Sequence, residues 1–186
     1  RLAPTDGGYV LPTRRCGDFF LVDAHVNGRG PFPLILDSGA GRTVLDPSVL
    51  EAVGVEGQLD SLRVGEFEAY ELSVSPLEMA DLSRALREPV MGIVEHPVFA
   101  GGTITYDYPR GEIRLSRSPL LPGEPGVVRA RESSRPWVVG EAEGRRFWVL
   151  LDTGSSRGLA LADLDAWAGE GEPVVTGSSM RVDGLH

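Results

Sequence analysis

Residues 34–39 read Leu-Ile-Leu-Asp-Ser-Gly, and residues 149–154 read Val-Leu-Leu-Asp-Thr-Gly. In both stretches, three apolar residues precede an aspartate, a hydroxyl-bearing residue and a glycine. A short apolar run of this kind is consistent with a buried strand, so we expect each aspartate at the end of one. A buried carboxylate is unfavourable unless it is paired or hydrogen-bonded. The repeated motif therefore predicts a site to which both aspartates belong.

The similarity between the two stretches extends beyond the motif. A shift of the sequence by 115 residues places Asp37 on Asp152 and Gly54 on Gly169 without a gap. The three apolar positions before each aspartate match as well. Internal repetition of this length indicates that one supersecondary unit occurs twice in the chain.

Each copy is predicted to contain a hairpin, an acidic turn and a short helix. The first hairpin has a strand over residues 19–26 and an Asn-Gly turn at residues 27–28, which is a strong hairpin signal. The second has a strand over residues 136–142, followed by a Glu-Gly turn. Asp46, a proline after it and a later glycine predict a helix in the first copy, and residues 161–168 are similar in the second.

The remaining segments predict a nearly all-β protein with short strands. They comprise a hairpin over residues 62–74, a weak helix or loop over 79–86, an apolar segment over 90–94 and a hairpin over 103–115. Residues 117–134 are rich in proline, glycine and polar residues and are predicted to be a linker. We expect residues 1–116 to form the first copy and residues 135–186 a partial second copy.

Composition excludes several classes of function. The net charge is −9, so a nucleic-acid partner is not expected, because binding to phosphates needs a positive field. Cys16 is the only cysteine, which excludes an internal disulfide and a cysteine-based zinc site. The three histidines have no metal-ligand spacing, and we expect neither a metal nor another cofactor. No segment has the length to span a membrane, and the start at Arg1 without Met favours a processed, exported protein.

The chemistry of the motif depends on how the two copies pack. If they are related by a pseudo-two-fold axis, Asp37 and Asp152 meet at that axis. Two carboxylates at hydrogen-bond distance do not both ionise easily, and they share a proton. One then acts as a base on a water molecule while the other acts as an acid on a carbonyl oxygen. That pair of roles suits the hydrolysis of an amide bond.

Residues 36–40 and 151–156 resemble the catalytic loops of pepsin-like and retroviral aspartic proteases. The tandem arrangement is most similar to bacterial retropepsin-like aspartyl proteases that carry two copies of the motif. The resemblance implies a closed, mostly antiparallel β fold with two pseudo-symmetric copies. It implies that Asp37 and Asp152 are the catalytic pair, and that Ser38 and Thr153 form hydrogen bonds across the two loops.

The resemblance also implies supporting elements around the aspartates. Gly39 and Gly154 would support the two loops, and the hairpin over residues 62–74 would be a flap that covers the cleft. The tip of this flap would lie at Gly65 and Glu66, and Tyr70 would be its aromatic residue. An apolar segment that ends in glycine would lie beside the first catalytic loop.

Two features depart from the family pattern. Glu95 takes the position of the glycine that should follow Ile93 and Val94, where a carboxylate is expected to crowd the catalytic loop. Either the register slips, so that residues 90–92 form the motif, or the first copy is atypical. The second copy ends at His186, where its own flap would begin, so we expect it to be incomplete.

The sequence therefore predicts an aspartic endopeptidase that acts on a peptide or protein substrate without a metal. Two alternatives remain open. In the first, a homodimer pairs Asp37 of one chain with Asp37 of the other, and the active species is a dimer and not a monomer. In the second, the chain is a catalytically silent module that keeps the fold and binds peptides.

Overall fold

The computed structural model describes residues 8–99 and 102–156 of the chain, except positions 119, 122, 124, 126, 132 and 143. Most of the described residues lie in short strands. The strands are β1 Tyr9–Leu11, β2 Thr13–Cys16, β3 Phe19–Val26, β4 Arg29–Asp37, β5 Thr43–Leu45, β6 Gln58–Val64, β7 Phe67–Pro76, β8 Gly92–Glu95, β9 Thr103–Asp107, β10 Glu112–Ser116, β11 Trp137–Ala142 and β12 Arg145–Leu150. The helices are α1 Pro47–Val53, α2 Ala80–Leu86 and a 3-10 turn over His96–Phe99.

Six of the strands close into a barrel. The strands β3, β4, β8, β5, β7 and β6 are hydrogen-bonded in this order, and β6 pairs with β3 to complete the ring. All of these pairs are antiparallel except β4 with β8 and β5 with β7. A three-stranded sheet of β1, β10 and β9 and a hairpin of β11 and β12 lie outside the ring. The predicted fold class, a mainly antiparallel barrel with a few short helices, is confirmed.

The apolar run before Asp37 is buried on both faces of β4. Leu34 and Leu36 belong to the main core, whereas Ile35 belongs to a second cluster that includes Met79 and Leu82. Successive residues of a strand point to opposite faces, so a strand covered on both sides needs an unbroken apolar sequence. The second cluster, which includes Leu82 from α2, supplies that second cover.

The local signals of the first copy are confirmed. The side chain of Asp46 caps α1 by accepting a hydrogen bond from the backbone N–H of Ser48, and Gly54 ends the helix in the left-handed conformation. Asn27 and Gly28 both have positive φ, which is the geometry of a two-residue hairpin turn. The segment over residues 79–86, predicted as a weak helix or loop, contains the helix α2.

Three short strands, β1, β2 and β5, were not predicted. The hairpin of β11 and β12 is present as predicted, with its turn next to Gly144. The predicted helix over residues 161–168 lies outside the described residues, so the equivalence of the two copies stays a prediction. No strand or helix occurs among the described residues of 117–134. None of the helices in the described ranges has the length and apolar character that crossing a membrane requires.

Candidate active site

The two aspartate motifs lie where their hairpins end. Asp37 is the last residue of β4, and Asp152 follows β12 after one intervening residue. Each motif leaves its strand in a tight turn closed by its own aspartate. The Asp37 carboxylate accepts hydrogen bonds from the backbone N–H groups of Gly39 (2.7 Å) and Ala40 (3.1 Å). The Asp152 carboxylate accepts one from the N–H of Gly154 (2.8 Å).

The two loops are joined by reciprocal hydrogen bonds of Ser38 and Thr153. The Ser38 hydroxyl donates to the carbonyl oxygen of Leu151 (2.6 Å), and the Thr153 hydroxyl donates to that of Leu36 (3.3 Å). Each hydroxyl oxygen also accepts a hydrogen bond from the backbone N–H of the other residue, at 3.0 Å in both cases. The hydroxyl-bearing position of the motif therefore links residues that are 115 apart in sequence.

The glycines of the two motifs allow each carboxylate to approach the opposite loop. A Cβ atom on Gly39 would overlap the Asp152 carboxylate, and a Cβ atom on Gly154 would overlap the Asp37 carboxylate. Neither glycine has a positive φ. Both positions need glycine because a carboxylate approaches them closely. The backbone conformation at these positions does not itself require glycine.

The two carboxyl groups interact directly, and this interaction changes the ionisation of Asp37. Burial raises the pKa of Asp37 most, and the charge of Asp152 and a side-chain hydrogen bond to it raise the pKa further, to about 7. The N–H groups of Gly39 and Ala40 oppose the shift. Asp37 is half-buried and Asp152 is exposed. Up to about pH 7 the pair can therefore hold one proton on Asp37.

Glu95 lies beside Asp37 in the sheet, and its carboxylate interacts with residues that follow the first motif. β8 pairs in parallel with β4, with Glu95 opposite Asp37, so the register does not slip to residues 90–92. Burial raises the pKa of Glu95, while a hydrogen bond from the backbone of Thr43 and the nearby charge of Arg42 lower it. Glu95 is not among the groups that shift the pKa of Asp37. The Glu95 carboxylate interacts with Thr43 and Arg42, which follow the first motif, and the crowding of the loop by Glu95 stays a prediction.

Gly65 and Glu66, predicted as the tip of the flap, form the turn between β6 and β7, and Tyr70 lies in β7. Gly65 packs against Tyr9 and Pro12, and the backbone N–H of Glu66 donates to the Tyr9 hydroxyl (2.9 Å). Tyr70 is exposed, and its hydroxyl donates to Glu68 (2.6 Å). Within the described ranges, these three residues have no hydrogen bond to either aspartate of the motifs. The flap role of Gly65, Glu66 and Tyr70 stays a prediction.

Two residues near the aspartates were not identified from the sequence. The backbone N–H of Ala40 reaches the Asp37 carboxylate, and Tyr106 of β9 lies close enough for the charge of Asp37 to raise its pKa. A small residue after the motif gives no sequence signal for an N–H contact. The alternation of polar and apolar residues in β9 predicted a strand, but it did not show that Tyr106 would lie near Asp37.

In the described part of the chain, no three His, Cys, Asp or Glu residues are grouped to hold a metal ion.

The comparison with solved structures gives a remote likeness. No protein-family model matches the chain, and no curated protein matches it. The crystal structure of a retropepsin-like aspartic protease from Rickettsia conorii is similar over 59% of this chain and 89% of its own. The sequence identity is 16% and the TM-score is 0.43. A likeness this remote does not assign a function.

Proposed function

We propose that the chain is an aspartic endopeptidase that hydrolyses peptide bonds with a water molecule activated between Asp37 and Asp152. The observation that carries the proposal is the reciprocal contact of the two loops, in which each carboxylate lies against the glycine of the opposite motif. This contact supports a single site built from both motifs. The resemblance of the motifs to aspartic protease loops favours the same reaction.

The two carboxyl groups have different proposed roles because their environments differ. Asp37 holds the shared proton, since burial and the charge of Asp152 raise its pKa to about 7. Asp152 then acts as the base that removes a proton from the water, and Asp37 donates its proton to the carbonyl oxygen of the substrate. The N–H groups of Gly39, Ala40 and Gly154 hold the carboxylates in place.

Pairing within one chain is favoured over a homodimer that pairs Asp37 with Asp37. The Ser38 and Thr153 hydroxyls each donate one hydrogen bond to the other loop and accept one from it, and Asp37 already has a carboxyl partner in its own chain. A second copy of Asp37 would have to displace Asp152 from this contact.

The test is the cleavage of an unfolded protein substrate between about pH 3 and pH 8 by the wild type and two variants. Asp37→Asn and Asp152→Asn each remove one carboxylate and keep the size of the side chain. We expect both variants to lose cleavage, because a single carboxyl group cannot supply both the base and the acid. Wild-type activity should fall as the pH rises through about 7, where Asp37 loses its proton.

Each other outcome points to a different alternative. If Asp152→Asn remains active and Asp37→Asn does not, the homodimer explains the activity. If the wild type binds peptides but cleaves none at any pH, the chain is a silent binding module. Asp81→Asn is the matched control, because it makes the same chemical change at an exposed aspartate in α2.

A further inference from the structure

An exposed groove lies on one face of the hairpin of β11 and β12. Its volume is about 600 Å³, and residues 128–131 form its other wall. Its apolar lining consists of Val128, Val139 and Trp148, all of which are exposed. Val139 and Trp148 are directly opposite each other in the ladder, so their side chains form one continuous apolar surface. Exposed apolar surface of this kind is a feature of interaction sites.

The rim of the groove is positively charged. Arg129, Arg131 and Arg146 line it, and Glu141 is the one carboxylate among the described lining residues. The guanidinium of Arg131 lies 5.7 Å from the centre of the Trp148 ring, within the range of a cation–π contact. Arg129 and Arg146 form no ion pair with another described residue. Their guanidinium groups are therefore available to a carboxylate from another molecule.

The charge around the groove is opposite to that of the rest of the chain. Residues 127–150 carry five arginines and three glutamates, whereas the remaining residues carry 13 arginines and 24 aspartates and glutamates. A long polyanion or a second copy of the chain would be repelled by this negative remainder. A short acidic segment that contacts only the groove avoids the repulsion.

The groove is on the same hairpin as the second motif but does not include the dyad. Trp148 precedes Asp152 by four positions, which corresponds to roughly 10 Å or more along a strand, and Arg146 lies farther away. Successive side chains of an extended peptide point to opposite sides. Apolar side chains of such a peptide would pack on Val139 and Trp148, while the acidic side chains between them reach the arginines.

We infer that this groove binds an extended acidic segment of another protein, in which apolar residues alternate with aspartate or glutamate. The planar guanidinium of arginine suits carboxylates because it donates two parallel hydrogen bonds. Arginine and aromatic residues are also enriched at protein interfaces. Binding in the groove does not depend on the proposed peptidase function. If that function holds, the groove favours substrates that carry such a segment outside the cleft.

The first test measures the binding of a short fluorescein-labelled peptide, in which glutamate alternates with leucine and phenylalanine, by fluorescence anisotropy. Two matched peptides have glutamine in place of glutamate, or serine in place of leucine and phenylalanine. We expect only the first peptide to bind, and added salt to weaken its binding. Asp37→Asn should bind it as the wild type does. Equal binding of the glutamine peptide, or loss of binding in Asp37→Asn, would overturn the inference.

The second test locates the bound peptide. We expect Trp148→Ala to weaken binding at least about fivefold, as for an aromatic residue at the centre of an interface. Leu121→Ala is its control, because Leu121 lies outside the groove and is 54% exposed, against 53% for Trp148. Arg146→Gln should weaken binding about two- to fivefold, the range of one exposed ion pair. Arg84→Gln removes an exposed arginine of α2 and should have no effect. Wild-type binding by both groove variants would overturn the inference.

Two further measurements separate the groove from a dimer contact and from the proposed function. A dimer in sedimentation that Trp148→Ala dissociates would overturn the inference, because a second copy would then occupy the groove. A wild type that binds the acidic peptide through the groove but cleaves no substrate refutes the peptidase and keeps the groove. In an active enzyme, attaching the acidic segment to a substrate should lower KM and leave kcat unchanged. An active enzyme without that change in KM and without peptide binding refutes the groove alone.

Discussion

The raised pKa of Asp37 predicts an unusual dependence of stability on pH. The shift from 3.8 to about 7 means that the folded state binds a proton more tightly than the unfolded state between these values. The free energy of unfolding must then decrease as the pH rises from about 4 to 7. At about 1.4 kcal/mol per pKa unit, the contribution of Asp37 is at most about 4 kcal/mol.

Asp37→Asn should remove this dependence. The amide stays neutral at every pH, and its oxygen still accepts the hydrogen bonds of Gly39 and Ala40. At about pH 4 the variant and the wild type should have similar free energies of unfolding. At about pH 8 the variant should be more stable, by up to about 4 kcal/mol, because the wild type has then ionised a half-buried carboxyl group next to Asp152.

The assay is urea unfolding of both proteins at intervals of one pH unit from about pH 4 to 8. All other titrating groups are present in both proteins. The difference between their free energies of unfolding therefore isolates the contribution of Asp37. In an Asp152→Asn background the difference should become smaller but not vanish, since burial is the larger cause of the shift. Asp81→Asn is the control, with its side chain 87% exposed. If the free energies of unfolding of Asp37→Asn and the wild type differ by the same amount at every pH from about 4 to 8, the reasoning is refuted.

Two further substitutions test the close packing around the motif and a helix cap. Gly39→Ala should abolish peptide cleavage, because the added Cβ would overlap the Asp152 carboxylate. Gly41→Ala is the control and should keep wild-type activity, because a Cβ at this position has no atom within 4 Å. Equal activity of the two variants would contradict the close approach of the carboxylate to Gly39. Asp46→Ala should lower the free energy of unfolding by about 1–2 kcal/mol at pH 7. Burial alone would raise the pKa of Asp46, but hydrogen bonds from Ser48 and Met79 hold it below its usual value. This stabilisation is lost as the pH falls through the lowered folded-state pKa. The effect of Asp46→Ala on the urea midpoint should therefore shrink as the pH falls below the usual aspartate pKa of about 4, and an effect that does not change with pH would contradict this.

The elements predicted from sequence are those whose signals are local. The turn at Asn27 and Gly28 and the cap and end of α1 depend on residues within a few positions of each other, and all are present. The strands β1, β2 and β5 were missed because three or four residues carry too little periodicity. Their positions come from pairing with strands distant in sequence, such as β1 with β10.

The sequence alone identified the two motifs and the types of residue that a shared site would need. It did not determine that the Asp152 carboxylate would lie against Gly39, or that the Glu95 carboxylate would lie near Thr43 and Arg42. A residue type and its spacing determine local conformation and the chemistry available at a position. Contacts between residues more than a hundred positions apart depend on how whole strands pack, and only the tertiary structure decided them.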